Sequence, residues 1–251
     1  MQRAEGPPPD VLPLSPAYVC GTASRPAPPT SVEFEGTEYP VDDGIKILMG
    51  VVRDKEAGTE RRIGAIQTLS RFAPQLRDEA YIDDLKALYR RTQELPLKAE
   101  ILRCVGRSGD ARGLELFHAV LDEETSPFVR LLAAGELADW NVRLGVKELI
   151  KLLEPDNTTQ PGKRPPRTLS DEAAICLQGL NRRKGWGFPE EEVREAMKAL
   201  GKDNLEESER LFRDRWKAWF EANKDRFPTW PPKTREHDEP AQNGGHQQRN
   251  P

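Results

Sequence analysis

One spacing constrains this chain more than any other feature. Arg62, Ala65 and Leu69 align with Lys98, Ile101 and Val105, then with Arg130, Ala133 and Leu137, and less closely with Ala173, Cys176 and Leu180. The intervals are 36, 32 and 43 residues. Within each window the aligned positions fall at i, i+3 and i+7, with a cation at i in three of the four and apolar residues at the other two, the period of an amphipathic helix and not of a strand. Each aligned set marks the second member of a helix pair. A lone pair of about 30 ordered residues loses roughly 45 kcal/mol of conformational freedom, which one apolar face cannot offset. Successive pairs must therefore stack, and the expected fold class is all-α, an α-solenoid of about four helix pairs.

The helices can be placed in order. Ile45, Leu48, Met49 and Val52 mark the first, started by Asp42 or Asp43, and Ile63, Ile66 and Leu69 the second, ended by Pro74. Ile82, Leu85, Leu88 and Tyr89 mark the third; the fourth follows Pro96 and stops at Gly106 to Asp110. Leu114, Phe117 and Leu121 make the fifth. The sixth, Pro127 to Trp140, is apolar on two faces and needs neighbours on both, with the Ser126 hydroxyl expected to cap it. Val146, Leu149, Ile150 and Leu153 make the seventh, and Leu169 to Asn181 the eighth, left through Arg182, Arg183, Lys184 and Gly185.

The two ends differ from this body. Residues 1–32 are rich in proline and poor in large apolar groups, which reads as a disordered tether. Val32 to Tyr39 alternates around Gly36 and fits a short hairpin laid on the first helices. Beyond Trp186 a helix from about Glu190 to Leu200 is expected, then a last one opened by Asn204 and Glu207 as a capping box. On that last helix Phe212, Trp216 and Trp219 form one stripe, joined by Phe220, suited to covering the open end of the stack. The expected division is a disordered Pro-rich segment with a short extended cap (1–38), repeats (39–185), a helical cap (186–227) and a disordered tail (228–251).

The patterns Arg62-x-x-Ala65-x-x-x-Leu69 and Arg130-x-x-Ala133-x-x-x-Leu137, with the turn Val105-Gly106-Arg107-Ser108-Gly109-Asp110, resemble bacterial HEAT repeats of the HEAT-like or PBS-lyase type. The resemblance covers residues 41–185 as four repeats. Where that family has an Asp before the second helix, this chain has Thr59 and Ser126, and the fourth repeat lacks the Arg. Arg215 to Asn223 is similar to the Trp-rich closing helix that follows HEAT arrays. The resemblance implies a helical scaffold; it also leaves open an enzyme or enzyme subunit, since HEAT-like folds include bilin lyases and a DNA glycosylase.

The residues favour the scaffold. His118 stands without a nucleophile motif, and the last two histidines, His237 and His246, fall in the tail. Cys104 and Cys176 read as core, and three scattered cysteines make no metal site. Asp139 beside Trp140 is the one local hint of glycosylase chemistry, and a formal charge of −4 speaks against nucleic acid. No catalytic, cofactor-binding or metal-ligating set is assigned, and no cofactor is expected. The expected partner is a protein or peptide held on the second-helix, concave surface. Its candidate contacts are Arg62, Lys98 and Arg130, which share one register, and Lys163, Arg164 and Arg167 in the Pro-rich insert Pro155 to Arg167. No apolar run reaches the roughly 18 residues of a membrane span. Met1 to Asp10 has no signal-peptide order, so the expected location is the cytoplasm, or outside it if the native start lies upstream of Met1.

Overall fold

The computed structural model describes residues 30–78, 80–154, 168–201 and 204–230. The Pro-rich start, the insert 155–167 and most of the tail lie outside the described residues. What is described is mostly helical. A two-stranded antiparallel hairpin, β1 (Ser31–Phe34) and β2 (Thr37–Pro40), pairs Val32 with Tyr39 and lies on α1 (Val41–Arg53). Then follow α2 (Thr59–Leu69), α3 (Tyr81–Arg91), α4 (Leu95–Ser108), α5 (Arg112–Glu123), α6 (Pro127–Asp139), α7 (Arg143–Lys151), α8 (Leu169–Lys184), α9 (Glu190–Leu200) and α10 (Leu205–Asn223).

Each odd helix packs on the even helix that follows it, and the even helices touch in succession: α2 on α4, α4 on α6, α6 on α8. The aligned apolar residues belong to the core that these helices share. Ala65, Leu69, Ile101, Val105, Ala133, Leu137, Ala173 and Leu180 are all buried. As its two apolar faces require, α6 has many neighbours: it packs on α5 and α7 and also touches α4 and α8, the even helices before and after it. The contact with α7 is close enough to need Gly145, because a methyl group there would run into the backbone of Ala134 and Ala138.

Several local expectations are corrected. No side chain caps α1 at its start, although Asp42 and Asp43 complement the dipole in its first turn. Ser126 does not cap α6 through its hydroxyl; instead the Ser126 amide donates to the Glu124 carboxylate at 3.0 Å. Asn204 makes no capping box either, while Thr168 and Asp171 do, at the start of α8. After α2 the chain tightens into a 3-10 helix at Ser70–Asp78, which presses Phe72 and Leu76 into the core beside α4. Cys104 is buried as expected, whereas Cys176 is half-buried, because Ala173, Leu177 and Leu180 take the inward positions of α8.

The aromatic residues of α10 turn inward. Trp216 is fully buried and stacks on Phe188 with centroids 3.7 Å apart, and Trp219 stacks on Trp186 at 6.2 Å. The cluster is hooked to the α6–α7 turn: the Trp186 indole donates to Asn141 at 2.9 Å, and the Arg143 amide and guanidinium donate to the carbonyls of Pro228 and Phe227.

Candidate functional site

The cations singled out in the sequence occupy the first turns of α2, α4 and α6, and they share one arrangement. Arg62, buried to 7% exposure, donates from Nε to the Val52 carbonyl at 3.1 Å and lies 4.0 Å from Glu94. Lys98 donates to Glu124 at 2.7 Å and sits over the Tyr89 ring. Arg130 donates to the Leu121 carbonyl, to the Glu124 carbonyl at 3.3 Å, and to Glu148. Each acid belongs to the next pair along the chain or to the loop that enters its second helix, so the row links consecutive pairs. Lys163, Arg164 and Arg167 lie outside the described residues.

Glu124 is the hub of that row. One oxygen accepts from Tyr89 at 3.1 Å and from Lys98, and the other accepts from the amides of Thr125 and Ser126, each at 3.0 Å. Burial alone would push its carboxyl up, but the donors outweigh it and hold the group below the usual carboxylate range. The Tyr89 phenol is pushed up by burial and by that neighbouring carboxylate.

A second charged group occupies the other half of the same layer, at positions that the repeat register does not mark. Arg103 and Arg107 come from the last turns of α4, Glu136 and Asp139 from the last turns of α6, and Arg183 and Lys184 from the end of α8. Lysine and arginine are at home there, against the carbonyl ends of helices. Glu136 is not. Its carboxyl lies directly over Gly106, where any Cβ would overlap it. No described residue donates a hydrogen bond to it, and burial first, then Asp139, push it up to about 8 against the pull of Arg107, Arg183 and Arg103. At neutral pH it is therefore mostly the uncharged acid.

Around it the cations differ in how they are engaged. Arg103 is ion-paired with Glu100 at 2.5 Å, and Arg183 and Lys184 share Asp139 at 3.2 and 3.4 Å. Arg107 is exposed and forms no hydrogen bond or ion pair with a described residue. The same helices carry apolar groups: Leu132 on α6 is half-buried and Ile175 on α8 is 45% exposed, and the two helices touch. A signal for this group existed in the sequence. Glu136 is the acid set among Ala133, Ala134, Gly135 and Leu137, at a spacing of four from Leu132, on a helix otherwise committed to packing.

Burial pushes the thiol of Cys104 up to about 11 and that of Cys176 up to about 12, so both are protonated at neutral pH, the form that neither attacks nor ligates. His118 lies 3.3 Å from Asp122 on its own helix. Asp139 is taken up by two cations and Trp140 is buried, so the pair presents no open aromatic surface beside a free carboxylate. Among the described residues, no group of three or more His, Cys, Asp or Glu side chains is arranged to hold a metal ion, and no helix is long and apolar enough to cross a membrane.

A separate cleft of about 460 Å³ opens between α7–α8 and α9–α10, floored by Leu153, Ala174, Met197, Leu205 and Phe212. Comparison with family models, with curated proteins and with solved structures returned no match.

Proposed function

We propose that this chain is a non-enzymatic, HEAT-like α-solenoid scaffold that holds a protein segment on the outward face of its even helices, α4, α6 and α8. The reading rests on one observation above the others: an exposed Ile175 on α8 and a half-buried Leu132 on α6 stand on touching helices whose later turns, with those of the adjoining α4, carry Arg183, Arg103 and Arg107. Apolar anchors ringed by arginines are what protein recognition sites are made of. The row Arg62, Lys98 and Arg130 supports that face from behind by fixing each pair against the next, and the Trp-rich α10 serves as the cap of the array. The two protonated thiols favour the scaffold over a covalent enzyme.

The test is position-specific crosslinking in extracts of the native cell. A photoreactive residue at Ile175 should capture one partner, and the same residue at the exposed Lys147 on α7 should not. Adding Arg107→Glu to the Ile175 probe should reduce the yield. Equal capture from both positions, or a yield that Arg107→Glu leaves unchanged, would overturn the assignment of the face.

A further inference from the structure

We propose that Arg103, Arg107 and Arg183 anchor the carboxylates of an acidic protein segment over the Glu136 carboxyl. The inference rests on the face assigned above and adds the chemistry of the partner. Three guanidinium groups from two helices surround one carboxyl group, and none of them donates a hydrogen bond to it. Guanidinium forks bind carboxylates through paired N–H groups wherever geometry allows. Here the Glu136 carboxyl lies against Gly106 of α4, Arg103 and Arg183 pair with Glu100 and Asp139, and Arg107 stays exposed.

The occupant follows from charge and from what flanks the cluster. With Glu136 uncharged, the four cations Arg103, Arg107, Arg183 and Lys184 stand against Glu100 and Asp139, with Glu172 reaching the cluster from the Cys176 side, which still leaves positive charge in excess. Asp171 and Glu172 lie two turns or more back along α8 from Arg183, with Ile175 between. A continuous phosphate backbone would meet those acids. A segment with two or three carboxylates and an apolar residue meets arginines at one end and Ile175 at the other.

Binding is then linked to a proton. The groups that face Glu136 are Asp139 on its own helix, Arg103 and Arg107 from α4, and Arg183 with the Cys176 thiol from α8. On α7 Glu148 accepts from Arg130, and in the loop after α5 the Glu124 carbonyl accepts from the same guanidinium, more than a turn back along α6 from Glu136. When Glu136 ionises it becomes the anion that the three arginines serve, and the partner must compete with it. With a midpoint of about 8, the protonated fraction falls about tenfold between pH 7 and pH 9, and apparent affinity falls with the competent fraction.

The experiment measures fluorescence anisotropy of a labelled short polyglutamate peptide containing one leucine, with the full chain, from pH 6.5 to 9. Affinity should fall about tenfold across that range, and Arg107→Glu, at an exposed position, should weaken binding at pH 7 by tenfold or more. Glu136→Gln should bind as well at pH 9 as at pH 7, with circular dichroism showing the fold retained. Wild-type binding that is flat with pH, or a Glu136→Gln variant that keeps the pH dependence, overturns the proposal. So does tighter binding of a single-stranded oligonucleotide of equal charge. If the peptide fails while crosslinking from Ile175 still captures a partner, the acidic chemistry is wrong and the face stands. If both fail, the face itself is wrong.

Discussion

Glu124 and Glu136 are carboxylates one helix apart, both withdrawn from water, and they end in opposite states. Glu124 stands at the entry to α6, where two amides, a lysine and a tyrosine converge on it, and it is held ionised. Glu136 stands near the exit of the same helix, above a glycine and among arginines that do not reach it, and it is held protonated. Burial acts in the same direction on both. The number of donors aimed at the carboxyl decides the outcome. Cations near a carboxylate are therefore a poor guide to pairing; Lys98 and Arg130 are committed to contacts within the chain, and Arg107 is not.

The contrast can be broken most severely at Glu124. Glu124→Ala would leave Lys98 and Tyr89 without their acceptor and two amides unpaired, costing about 3–5 kcal/mol in urea unfolding. A loss below about 1 kcal/mol would show that the hub does not hold the pairs together. Next in size is the pH dependence at Glu136. A carboxyl raised when folded binds its proton more tightly in the native state, so its contribution is greatest below about 4.5 and is lost as pH rises toward 8. Glu136→Gln should therefore match the wild type near pH 5 and exceed it at pH 9 by an amount on the order of a few kcal/mol. For Glu124 the sign is reversed: its contribution is present above 4.5 and is lost as pH falls through its lowered folded value.

Smaller effects sharpen the comparison. Gly106→Ala should cost about 1–3 kcal/mol by driving the Glu136 carboxyl off α4, and Glu136→Ala in the same chain should recover most of that. Additive losses in the double variant would mean that the two residues do not meet. Smallest of all, Arg107→Ala should change stability by no more than about 0.5 kcal/mol, whereas Arg62→Ala, which loses a buried bond to Val52, should cost about 1–3. Both are measured by the same unfolding titration.

Much of the helical framework was legible from periodicity, because a helix repeats every few residues and its apolar side is written locally. Leu114, Phe117 and Leu121 lie buried on α5, and Trp216 and Phe220 on α10, as their spacing required. Caps were less legible, since Ser126 and Asn204 have suitable hydroxyl and amide groups but other partners satisfy those helix starts or leave them open. The fourth set in the alignment slipped for a similar reason: the 43-residue interval shifts α8 so that Leu177 takes the inward place expected of Cys176. The site was the least legible part. Arg62, Lys98 and Arg130 share a register in sequence, but whether a carbonyl or an acid of the next pair meets each cation is a fact of packing. The meeting of Glu136 with Gly106 joins residues thirty apart on different helices, and no local pattern writes it.

The state of Glu136 can be measured directly by following its side-chain carboxyl carbon in the ¹³C NMR spectrum of the full chain, assigned by its loss in Glu136→Gln. A midpoint near pH 8, moving higher when the acidic peptide is added, is expected. A midpoint near 4.5 that the peptide does not move would contradict both the protonated acid and the site built on it.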